Sequence, residues 1–322
     1  MKFIKKIKPF FNVEWKDPLD WVSLIILLLV FSTIVLRSVS IDLHYDEAYS
    51  YMNTGRIQDV WKIYQFRIAN THIINSLAMT VTTLFFPYND FMIRLPNLIT
   101  SIFFLFTALN LSKLYKNRLL LFSLLVLFHF MITFMAQARG YGMSAAFLLA
   151  SFFVYKNKEQ FNSPFNWIAI LLLLSFYSNY VALFPAAAFA GYIWMTDLKF
   201  KTPPFSKKQN YKYGGFTLLG IYGFFSVTKE GKPLYGDYEG NFFKAVPIDF
   251  VELFSPSLEF SQLAVSIISV VFAILVLILF FKKKIIPAAF SVTLAFVVIT
   301  ALSFISGKPL PTGRVLIPFW PF

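Results

Sequence analysis

The chain runs to 322 residues, 57% of them hydrophobic, 20% aromatic and only 14% charged. Soluble chains are about 45–50% apolar even with glycine counted and about 25% charged, so this composition excludes a soluble enzyme with a simple anchor. The formal charge of +13 would suggest nucleic acid in a soluble chain. In a chain of many membrane crossings it marks cytoplasmic loops instead, and no nucleic-acid partner is expected. With no cysteine, disulfides, thiol nucleophiles and thiolate metal sites are excluded as well.

In chain order, Lys2, Lys5, Lys6, Lys8 and Lys16 precede a first apolar run at 21–36. A secretory signal would end in small residues with a cleavage site. Arg37 and Asp42 follow instead, which predicts a retained helix that starts in the cytoplasm. Further apolar runs occupy 95–111, 119–136, 142–155, 165–178, 180–196, 214–227, 261–281 and 285–306. The expected fold is an all-α, polytopic transmembrane bundle of about nine spans at roughly 20 apolar residues each. It is expected to form one domain over residues 1–322, with outer loops at 37–94 and 229–260. The apolar tail 315–322 is too short to span, so the chain is expected to be truncated where another helix would begin. No inverted repeat of the transporter kind is visible.

Segment 70–86 decides the orientation of everything after it. It opens on Asn70-Thr71-His72 and carries Asn75, which is too polar for entry into hydrocarbon. The expectation is a re-entrant or interfacial helix that returns to the outer face. Inner loops then hold 18 Lys and Arg against 5 acids, and the outer face holds 11 of each. The whole excess of positive charge is cytoplasmic in that arrangement, as the positive-inside bias requires.

This topology brings polar residues together on the outer face. Asp42, His44, Asp46 and Glu47 follow the first helix; His72 and then Arg94 belong to the first outer loop; Arg139 and Tyr141 return to the same face after two more crossings. Such a set suits chemistry on a lipid-carried substrate with an anionic head group. His129, mid-way through an apolar run, is expected to pack between helices. His44, Asp46 and His72 have the ligand chemistry for a divalent cation, but nothing in their spacing sets a geometry, and no other cofactor is implied.

The order Tyr45-Asp46-Glu47-Ala48-Tyr49, then Thr71-His72-Ile73-Ile74-Asn75, then Ile93-Arg94-Leu95-Pro96-Asn97, then Ala138-Arg139-Gly140-Tyr141 resembles the GT-C fold membrane glycosyltransferases. The protein O-mannosyltransferases and aminoarabinose lipid A transferases, and their bacterial cousins, are the nearest in pattern. Thr312-Gly313-Arg314-Val315-Leu316 is similar to a C-terminal segment of that family, with Val315 where Tyr is usual. The family's histidine is followed by two prolines; here Ile73 and Ile74 stand there. The sharp motifs lie within residues 41–141.

The resemblance implies an enzyme of the bacterial plasma membrane that takes a sugar from a polyprenyl-phosphate donor. The sugar passes, with inversion, to a hydroxyl on a protein, lipid or glycan acceptor at the outer face. Asp46 aligns with the family's first acid and is the expected general base. Glu47, counted with Asp46 in the expected catalytic pair, is expected to position the loop, the acceptor or an ion, because neighbouring side chains on a regular element diverge. Arg94, Arg139 and, on a weaker match, Arg314 are the expected phosphate ligands. Asp42, His72 and Tyr141 complete the expected substrate-binding set, and loop 229–260 is expected to act as a lid.

Two other functions compete. A transporter or flippase of lipid-linked or anionic solutes would place charges near mid-membrane, whereas these gather at an edge. A non-catalytic scaffold of the same fold, serving envelope glycan assembly, differs from the enzyme only in activity. The topology itself is testable, since single cysteines stand alone in this chain. With an impermeant thiol reagent on intact cells, Tyr238→Cys should label and Lys208→Cys should not; the opposite pattern would reverse the orientation and disperse the site.

Overall fold

The computed structural model describes residues 8–12, 17–56, 72–86 and 89–193. The elements they form are all helices, with no strand among the described residues. The chain divides into two compact units at Tyr180–Val181. Arg314, loop 229–260 and the expected spans from 214 onward lie outside the described residues.

Helix α1 (Pro18–Ser40) starts where sequence would start it. Asp17 caps it by accepting the Leu19 N–H, and Pro18 supplies the preset φ of a first helical position. A short helix α2 (Tyr45–Ser50) follows, running into a π turn at Tyr51–Gly55. Next come α3 (Ile73–Phe85) and α4 (Asp90–Ser112), the latter capped by Asn89 accepting the Met92 N–H. The remaining elements are α5 (Arg118–Val126), α6 (His129–Ala136), α7 (Gly140–Lys156), α8 (Pro164–Ser178) and α9 (Leu183–Ile193).

Helices α1 and α4 are long and apolar enough to cross a membrane. Each has 23 residues, about 34 Å at the α-helical rise, against a hydrocarbon core of about 30 Å. They occupy different places. Only 28% of the apolar stretch of α1 is inside the protein, against 67% for α4. Leu19, Val22, Ile25, Leu28, Leu29 and Leu36 form an exposed apolar face on α1, while Ser23, Leu27, Val30, Ile34 and Ser38 face inward. Helix α4 is a central element and α1 a flank.

The two helices are joined at both ends by charge. At one end, Asp20 near the start of α1 meets Lys113 just past α4 at 2.6 Å, and Asp17 meets Arg118 at 2.5 Å. The chain before α1 closes this end, with Phe10 seated among Phe103, Phe153 and Phe161 and its carbonyl accepting from Asn110. At the other end, the close of α1 meets Arg94 near the start of α4. The segment between them, including α3, therefore begins and ends at the same end of the α1–α4 pair.

Packing around α4 uses small residues. Helix α7 brings Ser144, Ala145, Ala146, Ala150 and Ser151 to fully buried positions, and Ser144 and Ser175 exchange hydrogen bonds between α7 and α8. In a lipid setting the hydrophobic effect does not separate helix from helix, so close backbone approach and short polar contacts carry association. The apolar run 119–136, expected as one span, is instead two helices of 9 and 8 residues, α5 and α6. Phe128 takes an extended conformation between them, which ends the first ladder of backbone bonds and starts a second. His129 consequently opens α6 on its exposed side rather than packing between helices.

Candidate active site

The site is organised by Arg94 and Glu47, both buried to within 1% of complete. Arg94 donates through Nε and Nη2 to the two oxygens of Glu47 at 3.0 and 2.8 Å, a planar two-point pair. Its other N–H groups go to the carbonyls of Ser38, Ile41 and Asp42. A guanidinium has five N–H donors, and here all five are taken. The Ser38 carbonyl is one that the α1 C-terminus leaves without an intrahelical partner, so Arg94 acts as a cap for that helix.

Glu47 is equally committed. Besides Arg94, it accepts the His44 N–H at 2.9 Å, completing the capping box that starts α2. It also accepts the Ala138 N–H, 91 residues away in sequence. The Ala138 carbonyl in turn accepts from Asn75 at 2.8 Å, and Asn75 accepts from Asn97 on α4 at 2.6 Å. Ala138 is therefore pinned at both its N–H and its carbonyl. One residue later the chain presents Arg139 at the N-cap of α7.

Neighbouring acids on α2 thus point to different places, as adjacent helical residues must. Glu47 is inside, and Asp46 stands at the rim with 13% of its side chain exposed. Asp46 Oδ2 lies 2.5 Å from Arg139 Nη2 and 3.8 Å from His44 Nδ1. His44 Nδ1 accepts the Asp46 N–H at 3.3 Å, capping α2 from its side chain. The Arg139 guanidinium lies over the rings of Tyr141 and Phe134, 5.2 and 5.8 Å from their centroids. Aromatic faces and a carboxylate together hold a cation that is almost out of water.

His72 lies beneath. It is buried, edge-on to Tyr141 with ring centroids 5.4 Å apart, and neither ring nitrogen completes a hydrogen bond. Burial, with the nearby Arg139 charge adding to it and the Ser178 backbone opposing, pushes its pKa down to about 3. The imidazole is therefore neutral throughout the physiological range. Gly140 makes this arrangement sterically allowable: a Cβ there would overlap the Ser178 carbonyl and come within 2.8 Å of His72 Cγ. Helices α3, α7 and α8 meet at a point that only glycine fits.

Several expected roles change on this geometry. Arg94 has no donor left for a phosphate, and its saturation by Glu47 and three carbonyls makes it a structural cation. Asp42 serves through its carbonyl, while its carboxylate is exposed. His72 is enclosed rather than facing solvent. Tyr141, 5% exposed, lies with its ring against the Arg139 guanidinium. Asn75, Asn97, Ala138 and Gly140 were not anticipated; the two asparagines, as polar residues within apolar segments, carried the available signal. Among the described residues no three His, Cys, Asp or Glu side chains gather as a metal site, so His44, Asp46 and His72 do not form the cation site their chemistry allowed. Compared with protein-family models, with curated proteins and with solved structures, the chain matches none.

Two outcomes follow from the burial of these groups. Removing one partner of a buried ion pair typically costs about 3–5 kcal/mol, so Glu47→Gln and Arg94→Gln should each sharply lower the thermal unfolding midpoint in detergent. Wild-type midpoints would show that the pair is dispensable. His72 contributes the second. Its folded pKa lies below the ordinary 6.5, so the unfolded chain binds a proton that the native chain refuses. The contribution is complete above about pH 6.5 and is lost as pH falls toward about 3. Unfolding midpoints measured across that window should fall less steeply for His72→Gln than for wild type, and equal slopes would remove His72 from the balance.

Proposed function

We propose that this chain is an integral membrane glycosyltransferase of GT-C type, transferring a sugar from a polyprenyl phosphate to an acceptor hydroxyl at the outer membrane face. The observation that carries the reading is the pairing of Asp46 with Arg139 at the rim, on a frame in which Glu47 and Arg94 are consumed internally. The reaction needs a carboxylate to receive a proton and a cation to receive a phosphate, and these two side chains supply both in one place.

In the proposed step the acceptor oxygen attacks the anomeric carbon from the face opposite the phosphate, giving inversion. The acceptor O–H proton passes to Asp46 as the new C–O bond forms. The bond from the anomeric carbon to the phosphate oxygen breaks, its electron pair leaves with the phosphate, and Arg139 meets the added charge with its planar fork. The positive N-terminal end of α7, which Arg139 caps, favours the same charge. Placement of the described charged groups at the two ends of α1 and α4 supports this reading over a transport path, which needs them near mid-membrane.

The direct test is Asp46→Asn, which preserves size but removes the proton acceptor. Transfer from a polyprenyl-phosphate sugar should fall about 10²–10⁴-fold when assayed below the unfolding midpoint of the variant, which loses a partner of the buried Arg139. The contrast with Glu47→Gln, whose effect should appear first in stability, separates chemistry from scaffolding. Near-normal turnover in Asp46→Asn would take the base role from that residue.

A further inference from the structure

We propose that α3 is the rising arm of a re-entrant hairpin whose outer face docks on lipid acyl chains. The helix climbs through one leaflet to the surface where α4 begins, and Leu77, Val81, Leu84 and Phe85 form the lipid-facing stripe. The inference rests on polarity and packing, and it stands whether or not the chain transfers a sugar.

A helix on the surface of a soluble protein turns its apolar stripe to the core and its polar residues to water. Helix α3 is built the other way round. Asn75, Ser76 and Thr80 are buried beside Met79, and His72 is buried at the N-cap. Outward stand Leu77, Val81, Leu84 and Phe85, from 41% exposed at Leu77 to 77% at Phe85. Steps of four, three and one residues put them on one side of the helix, so the exposure is a continuous patch and not scattered. The hydroxyls point to the same medium. Thr82 and Thr83 are partly exposed, yet both donate to the Met79 carbonyl of their own helix. Beside lipid, the backbone is the partner a hydroxyl has within reach. Helix α1 exposes a leucine face in the same way, and both helices pack on α4, which is long and apolar enough to cross a membrane. One surrounding phase, the acyl chains, suits both faces.

Contacts with α4 fix which way α3 runs. Near its start, Asn75 accepts from Asn97, well inside α4. One turn later, Met79 shares an apolar cluster with Ile93, one turn nearer the α4 start. Residues 86–89 alone then separate the two helices. Later residues of α3 thus meet earlier residues of α4, and the pair is antiparallel. Asn89 and Asp90 are exposed, which puts the start of α4 at water. Asn97 lies seven residues further on, about 10 Å along the axis, so α3 begins about that far below the surface. With 13 residues, α3 is about 20 Å long, too short for a hydrocarbon core of about 30 Å. It therefore rises out of the leaflet it starts in, with Leu77 the deepest of the four and Phe85 the shallowest. A helix lying flat in the interface would hold all four at one depth. The inner face of α3 meets the candidate site, where Asn75 donates to the Ala138 carbonyl and His72 lies edge-on to Tyr141. A single helix is thus the wall between that site and the lipid.

Depth along α3 is read by power-saturation electron paramagnetic resonance on the full chain in lipid nanodiscs. The chain has no cysteine, so a nitroxide attaches only at Leu77→Cys, Val81→Cys, Leu84→Cys or Phe85→Cys. Leu28→Cys on the exposed face of α1 is the lipid reference, and Asp90→Cys the water reference. The collision probes are oxygen, which concentrates among acyl chains, and a water-soluble nickel chelate. At all four α3 positions the oxygen-to-nickel ratio should exceed that of Asp90→Cys several-fold. It should be highest at Leu77 and fall toward Phe85, over at most about 12 Å of helix axis. Equal ratios at the four positions, or the reverse order, would overturn the rising arm. Ratios near that of Asp90→Cys would put water on this face, and weak collision with both probes would put protein there, from this chain or a second copy. Either result overturns the lipid surface. The unmodified chain supplies a second measurement that does not depend on how the variants fold. A lipid-soluble diazirine photolabel in the nanodisc, read by peptide mass spectrometry, should mark the α3 stripe as it marks the exposed face of α1. An unlabelled α3 beside a labelled α1 would sink the proposal.

Discussion

The buried pair of Glu47 and Arg94 is the constraint on which the described fold depends. Two charges have been taken out of water, and their mutual attraction alone does not offset that loss. The remaining lone pairs and protons must also be satisfied, and here they are: Arg94 by three carbonyls at the close of α1, Glu47 by the N–H groups of His44 and Ala138. The satisfying groups come from two stretches of chain, residues 38–44 and the turn at Ala138. One electrostatic requirement thereby joins the end of α1, the start of α2, the first turns of α4 and the turn before α7. Few single contacts in a helical bundle fasten so many segments at once.

From this follows the separation of roles between adjacent acids. Because Glu47 must face inward to meet Arg94, Asp46 on the same short helix is turned to the rim. Because the Ala138 N–H must reach Glu47, Arg139 is delivered beside Asp46. The pair at the rim is thus placed by backbone fastened elsewhere. Gly140 and the buried small residues of α7 serve the same end, since they let three helices close on His72 and keep the floor of the site tight.

The sequence made some of this legible and hid the rest for identifiable reasons. Helix boundaries with side-chain caps, at Asp17 and Asn89, follow from residue type alone, as does the apolar character of α1 and α4. The grouping of Asp46, Glu47, Arg94 and Arg139 followed from their order along the chain. What could not be read was which cation each acid would take. Arg94 and Arg139 look alike in sequence, both being arginines at the start of apolar helices, and only the count of donors already used tells one from the other. The break at Phe128 was hidden for another reason. An apolar run has no period that distinguishes one long helix from two short ones, and no proline or glycine marks the change.

The far end of the bundle explains why the site end can be specialised. Asp17 and Asp20 with Lys113 and Arg118 tie α1 to α4 and α5 where no candidate chemistry is present. That end brings two acids and two cations together at the bundle surface, with Arg118 near both carboxylates. The site end instead divides the work between one saturated pair inside and one simpler pair at the rim. Salt bridges at opposite ends of two helices about 34 Å long prevent them from sliding past each other, since a slip of one turn would break both at once. Register is therefore secured without help from Asp46 or Arg139.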